Sequence, residues 1–251
     1  MTSLDDVRAA SAAFARAAAA TDPDAAVRSE IWTTAGRIVD HLGNIQHWVT
    51  EVVRTGERLD RREYRRPAEA EPVAWFRDGA DELVRVLGAA DPERIVPILY
   101  GAAGPTRFWP RRMAHEATKH LWDLRTATDD DPRFPVEVGP AGAADVIDEF
   151  GDVFMAEARR RGIEALAGPV ALVPDDADDA WRVSPDWRLE RFRHDAVAGA
   201  DAPATATIRA SVGDLALLLW ERADLSAPDG RFRVDGDRAL ATTFATTPVH
   251  L

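Results

Sequence analysis

The 251-residue chain contains no cysteine. Disulfides, thiolate-bound structural zinc and a cysteine nucleophile supplied by the protein are therefore excluded, and any sulfur chemistry must borrow a thiol from outside the chain. Basic residues are in deficit too: 31 lysines and arginines face 43 aspartates and glutamates, for a net charge of -12. Nucleic acid needs a basic face to neutralise its phosphates, so that class of partner is set aside. An anionic small molecule stays open wherever arginines gather locally. No apolar run approaches the length of a membrane span. The alanine-rich opening AASAAFARAAAATDPDAA carries acids where a secretion signal would place bases and then an apolar stretch. The expectation is a soluble, cytoplasmic protein without a membrane partner.

What is present is 46% hydrophobic, enough at this length for one large domain or two smaller ones. As far as about residue 160 the pattern is helical. Ser3 with Asp5 and Asp6 resembles an N-terminal cap leading into the alanine-rich run. The loop TDPDAAVRSEI ends that run. Thr33 or Thr34 then caps TTAGRIVDHLGNIQHWVTEVVRTG, which stops at Gly56. The charged stretch ERLDRREYRRPAEAE reads as an exposed loop. A third helix covers PVAWFRDGADELVRVLGAA, a fourth begins near Arg107 or Pro110, and a fifth follows Pro140 as AGAADVIDEFGDVFMAEARRRG. Long amphipathic helices joined by loops imply a bundle. After Gly168 the texture changes to short strand-like runs, GPVALVP, AWRVSP, WRLERFRH, ATATIRA and GRFRVDG, interrupted by the helix SVGDLALLLWERA. The division is drawn between residues 1–164, all helical, and 165–251, a small α+β domain.

The motif that carries chemistry is MAHEATKHLWD, residues 113–123. At about 100° per residue, His115 and His120 lie roughly 140° apart around a helix, whereas Glu116 and His120 are separated by about 40°. A zinc protease puts both histidines on one face and leaves its glutamate free as base. Here the glutamate shares the face with a histidine, which disfavours protease chemistry and makes a half-site that needs a third ligand. In the second helix His41 shares a stripe with Ile38, Ile45, Trp48 and Val52 and points inward. His47 lines up with Asp40, Asn44, Glu51 and Arg54 and is expected to face water. His41, Glu116 and His120 together would form a two-histidine, one-carboxylate site with an open fourth position, the pattern of catalytic zinc. The alternative is a buried Glu116–His120 polar pair, although burying a carboxylate with only local partners is costly.

Three segments in order, IWTTAGRIVDHLGNIQHW, RRMAHEATKHLWDL and VGPAGAADVIDEF, resemble the mycothiol-dependent maleylpyruvate isomerase family of actinobacteria. Later, TATIRASVGDLALLLWERADL and FRVDGDRAL are similar to the sterol-carrier-protein-like module that follows the bundle in that family. The resemblance implies an α plus α+β protein: a DinB-like four-helix bundle, then a small α+β domain.

It further implies a divalent metal, usually zinc, held by His41, Glu116 and His120. Mycothiol, a low-molecular-weight thiol, would be the cosubstrate, which suits a chain without cysteine. The activity implied is isomerisation of an electrophilic dicarboxylate such as maleylpyruvate, or S-transfer to another small electrophile. Asp123 is placed either to accept from a ligand imidazole or to remain a solvated helix charge. His115 is placed for acid–base work or for a structural hydrogen bond. The family's supporting arginine in the second domain matches Arg222, which equally suits a helix C-terminus. Arg107, Arg111 and Arg112 are the other candidates for a carboxylate partner. Another reading makes the chain a non-catalytic small-molecule-binding or regulatory relative whose metal is structural or absent. A monomer and a homodimer are both compatible with the sequence.

Overall fold

The computed structural model describes residues 3–29, 31–193 and 204–249. They form two compact units, Met1–Glu137 and Val138–Leu251. The first is built on four helices: α1 (Leu4–Ala20), α2 (Ala35–Thr55), α3 (Pro72–Ala89) and α4 (Phe108–Arg125). Ser3 caps α1 through a reciprocal box with Asp6, which satisfies two of the amides that a helix start leaves open. Thr34 occupies the cap position of α2, but its hydroxyl makes no capping bond. The amides of Ala35 and Gly36 are taken instead by the carbonyls of Ala25 and Pro23, so the preceding loop does the capping. Gly56 ends α2 in the left-handed conformation, as expected from its position after the last periodic residue.

The bundle core has two layers. One gathers Phe14, Ile38, Leu42, Phe76 and Leu121, and the other Val49, Val52, Leu83, Trp109 and Met113. Both draw on α2, α3 and α4, so the inward stripe of α2 is the one the periodicity marks. His47 does not simply face water. Its ring stacks on Trp75 of α3 at 4.6 Å, and Gly79 leaves room for it, since a Cβ there would stand 2.7 Å from its Nε2. The helical wheel placed it with its charged neighbours but could not show that α3 reaches across to that edge. Between α3 and α4 a two-stranded antiparallel hairpin forms, β1 (Ile95–Pro97) with β2 (Ala103–Pro105), too short for a period-two signal.

The second unit opens with α5 (Gly139–Glu149). A π-helical turn, Phe150–Met155, links it to α6 (Ala156–Arg161), so the long fifth helix read from the sequence is interrupted. Beyond lie β3 (Val170–Pro174), β4 (Asp179–Val183), β5 (Leu189–Arg193), β6 (Ala206–Ala210), α7 (Val212–Leu219), β7 (Arg233–Gly236) and α8 (Arg238–Thr246). The five strands make one sheet in the order β5-β4-β3-β6-β7, parallel only between β3 and β6. All five expected strands are there. His194, the last residue of the expected WRLERFRH strand, lies outside the described residues. By packing, the division falls at 137/138 rather than 164/165, because α5 lies against α7.

The sequence reading contains no α8. Asp237 caps it, accepting from the Leu240 amide, and the preceding Gly236 makes the turn out of β7 at φ 80°. A Cβ at that position would stand 2.4 Å from the Thr205 carbonyl oxygen. Left-handed strain and a backbone clash therefore act together. Gly236→Ala is expected to lower stability by about 2 kcal/mol or more in urea unfolding; a change under about 0.5 kcal/mol would show that the turn relaxes freely.

Candidate metal centre

The centre is assembled from α2 and α4. Glu116 and His120 stand one turn apart on α4, and His41 comes from the inward stripe of α2. One ligand atom from each of the three lies within 4.8 Å of the others. Glu116 Oε1 is the hub, 3.3 Å from His120 Nε2 and 3.7 Å from His41 Nε2. The other carboxylate oxygen, Oε2, accepts from Arg112 Nη2 at 2.6 Å. Arg112 sits one turn before Glu116 and its side chain is only 4% exposed, so the ion pair is screened little by water.

The hydrogen bonding of His120 decides what this cluster can hold. Its Nδ1 lies 2.9 Å from Asp123 Oδ2, and Asp123 is wholly buried. An ionised carboxylate accepts only, so Nδ1 donates to Asp123, and Nε2 faces Glu116 Oε1 either with a second N–H or with a lone pair. An acceptor and a nitrogen of either character thus stand together. What joins the two is either the proton of that N–H or a metal cation coordinated by both. The donor set of two imidazoles and one carboxylate, with His120 Nδ1 held by Asp123, fits a zinc-type site and its supporting carboxylate.

Electrostatics favour the ligand-ready forms. Burial alone would raise the proton affinity of Glu116. The charges of Lys119 and Arg112 and hydrogen bonds with His120 and His41 overcome it and hold the carboxyl well below the usual range. Burial pulls the His41 pKa from 6.5 down to about 4, with the nearby His120 and Arg61 charges acting in the same direction and Glu116 opposing. Both groups are thus in the deprotonated state that metal coordination requires. Trp32 covers His41, ring centroids 4.0 Å apart, and the His41 and His120 rings meet edge to face at 4.8 Å.

The remaining candidates separate. Asp123 joins the cluster through His120. His115 is buried in the bundle yet lies outside the three-residue group. Arg107 pairs with Glu93 at the start of α4. Arg222 belongs to the second unit, where its Nη1 donates to the Trp220 carbonyl just past α7. Trp122 donates to the Pro132 carbonyl and Trp48 to that of Leu59, so both indoles are committed to structure. The pairing of Arg112 with Glu116 was not anticipated, although their four-residue spacing on a helix was available as a signal. The cover that Trp32 provides depends on how the loop before α2 folds back, which periodicity does not report.

Residues 4–125 match the family model described as the mycothiol maleylpyruvate isomerase N-terminal domain. Among solved structures, the chain is similar to the mycothiol-dependent maleylpyruvate isomerase at 13% identity and TM-score 0.59, covering 99% of this chain and 94% of that one. It is similar also to a histidine-to-alanine mutant of that isomerase, at 14% identity and TM-score 0.58, covering 88% of each chain. At these identities the likeness is one of fold. A search of curated proteins found no match.

Two outcomes follow from the geometry. Asp123→Asn is expected to weaken zinc affinity by about 10–100-fold in chelator competition, and an unchanged affinity would reduce Asp123 to a packing role. The second concerns the metal-free protein. The unfolded chain protonates His41 near pH 6.5, whereas the folded chain does so only near pH 4. Stability from this group is therefore complete above the upper value and is lost as pH falls through the window. The metal-free protein should lose about 2 kcal/mol more than its His41→Gln variant between about pH 7 and pH 4.5, measured by urea unfolding.

Proposed function

We propose, from the premise that residues 4–125 belong to the family of mycothiol maleylpyruvate isomerase N-terminal domains, that this protein is a zinc-dependent enzyme using a low-molecular-weight thiol. Its substrate is a small electrophile, and its reaction is cis–trans isomerisation or S-transfer. The observation that carries the reading is the convergence of His120 Nε2, Glu116 Oε1 at 3.3 Å and His41 Nε2, with His120 Nδ1 set against the buried Asp123. That arrangement suits a shared cation.

His41, Glu116 and His120 would hold the metal, which when bound with an open position lowers the proton affinity of an incoming thiol. Asp123 fixes the tautomer and orientation of His120, so that Nε2 is always the coordinating atom. Arg112 keeps Glu116 ionised and points its free oxygen at the imidazoles. The sulfur comes from outside, since the chain has no cysteine, and mycothiol is the thiol the family supplies. In the isomerase form, sulfur bonds to one carbon of the cis double bond and the electron pair moves into the conjugated carbonyl. The carbon–carbon single bond then rotates and the carbon–sulfur bond breaks, which returns the thiolate and leaves the trans alkene. In the S-transfer form the new carbon–sulfur bond remains. His115 is assigned proton handling because it stands next to Glu116 on α4, and Arg222 is the position that matches the family's supporting arginine. The protein acts in the cytoplasm, where such thiols are kept reduced.

Elemental mass spectrometry on protein purified without added zinc or chelator is expected to give about one zinc per chain, and none in Glu116→Ala. His41→Ala should remain folded by circular dichroism while losing thiol-dependent turnover of maleylpyruvate at least 100-fold. A wild-type chain that neither carries zinc nor takes it up would mean that a proton bridges His120 and Glu116. Loss of fold in His41→Ala together with loss of metal would make the metal structural.

A further inference from the structure

The metal centre is built from α2 and α4, and a groove of about 380 Å³ lies between the other two helices of the bundle, α1 and α3. These two run antiparallel. Leu4 Cδ1 lies 3.3 Å from where a Cβ of Gly88 would stand, and the Phe14 and Phe76 rings meet at 4.8 Å. The floor is apolar and made of small side chains. Ser11 and Ala15 of α1 and Phe76, Ala80 and Val84 of α3 line it and are buried. Alanine at 12, 15 and 80 leaves space that larger side chains would fill in a close-packed bundle. The Ser11 hydroxyl accepts from Gln46 Nε2 at 3.4 Å, which ties the floor to α2 through the core.

The rim is charged, and unevenly so. Arg8, Ala12 and Arg16 follow one another at four-residue spacing along one edge of α1, with Arg77 and Asp81 on the facing edge of α3. Because the helices are antiparallel, Arg16 and Arg77 share one end of the groove, and Arg8 and Asp81 share the other. Arg8 is paired with Asp5 at 2.6 Å. Arg16 and Arg77 form no ion pair or hydrogen bond among the described residues. The acids that feel their charge, Glu137 and Glu71, are engaged elsewhere: Glu137 bonds to Arg125, and Glu71 accepts from the Val73 and Ala74 amides at the start of α3. In a chain where acids outnumber bases, the mouth of this apolar groove is a local cationic end.

The dimensions choose the occupant. From Arg8 to Arg16 the groove runs about 12 Å along the helix axis. Spread over that length, 380 Å³ gives a cross-section about 6 Å across, room for a hydrocarbon chain but not for a partner helix about 10 Å wide. We propose that the groove between α1 and α3 is a second binding site, for a small amphipathic carboxylate: its apolar chain lies over Ala12, Ala15, Ala80 and Val84, and Arg16 and Arg77 receive its carboxylate. Guanidinium groups match a carboxylate in paired hydrogen bonds, and an apolar floor with a few polar groups at one end is the usual form of a small-molecule site. The site requires neither the metal nor the thiol, so it stands apart from the functional reading above.

The test is calorimetric titration of the full chain, as purified, with decanoate kept below its micelle concentration. Wild type is expected to bind it. Replacing both arginines, Arg16→Ala with Arg77→Ala, should raise the decanoate Kd about 10-fold or more, and decanol, which lacks the charge, should bind wild type more weakly by a similar factor. Ala12→Leu places a larger side chain in the groove at an exposed position that suits a helix, and should abolish binding with the circular dichroism spectrum unchanged. Arg65→Ala, outside the groove, should leave the Kd within about twofold of wild type. If Ala12→Leu does not fold, the two exposed arginines carry the test. No binding of decanoate, or binding to a folded Ala12→Leu as tight as to wild type, overturns the proposal. Equal affinity in the double arginine variant overturns it as well, because the charge then plays no part. A wild-type dimer in sedimentation that Ala12→Leu dissociates would make a second copy of the chain the occupant instead. Zinc content is measured separately, so failure of this site and failure of the metal centre are told apart.

Discussion

A carboxylate buried between two imidazoles and an arginine is the constraint on which the first unit depends. Glu116 sits on α4, which packs against α1 and α2, and an ion without partners there would cost several kcal/mol. Each partner comes with its own requirement. Arg112 must lie one turn earlier on the same helix, His120 one turn later, and His41 must arrive from α2 across the core. Asp123 in turn must stand behind His120. The four polar side chains of α4 thereby form a continuous chain of contacts, Arg112 to Glu116 to His120 to Asp123, at spacings of four, four and three residues. Those spacings keep them on one face, so a helix with many polar residues can still pack into a bundle.

The same chain of contacts sets the chemistry. A hydrogen bond from His120 Nδ1 to Asp123 removes one of the two places where the ring could bind Glu116 by donation. The remaining nitrogen and the carboxylate oxygen stand 3.3 Å apart. That juxtaposition suits a shared proton or a cation. The absence of cysteine fits the proposal of an external thiol, since the chain has no sulfur nucleophile of its own.

Around that centre the structure places charge asymmetrically. Acidic residues outnumber basic ones in the whole chain, yet at the centre the carboxylate is paired with the buried guanidinium of Arg112. Net charge describes solubility and long-range steering, and a local site is governed by the few charges that water screens least. Residues 57–71, after α2, are held by side chains of that helix: Asn44 and Trp48 donate to the carbonyls of Arg61 and Leu59, and Asp40 accepts from Arg66.

The elements that periodicity and caps can specify were legible. Ser3, Gly56 and Pro72 mark helix boundaries because each acts on its own neighbouring backbone, and the stripe holding Ile38, His41, Ile45 and Val52 faces inward because a 3.6-residue repeat fixes which side chains share a side. The pairing of Glu116 with His120 followed from the same repeat. Resemblance to a family, carried by three separated segments, supplied the metal and the thiol, which spacing alone left open. What the sequence could not decide were relations between segments distant along the chain. The capping of α2 by Pro23 and Ala25 carbonyls, the stacking of His47 on Trp75, and the cover of Trp32 over His41 all depend on how elements pack or loops fold back. Local periodicity records the angle of a side chain about its own helix, and only tertiary packing records what stands opposite.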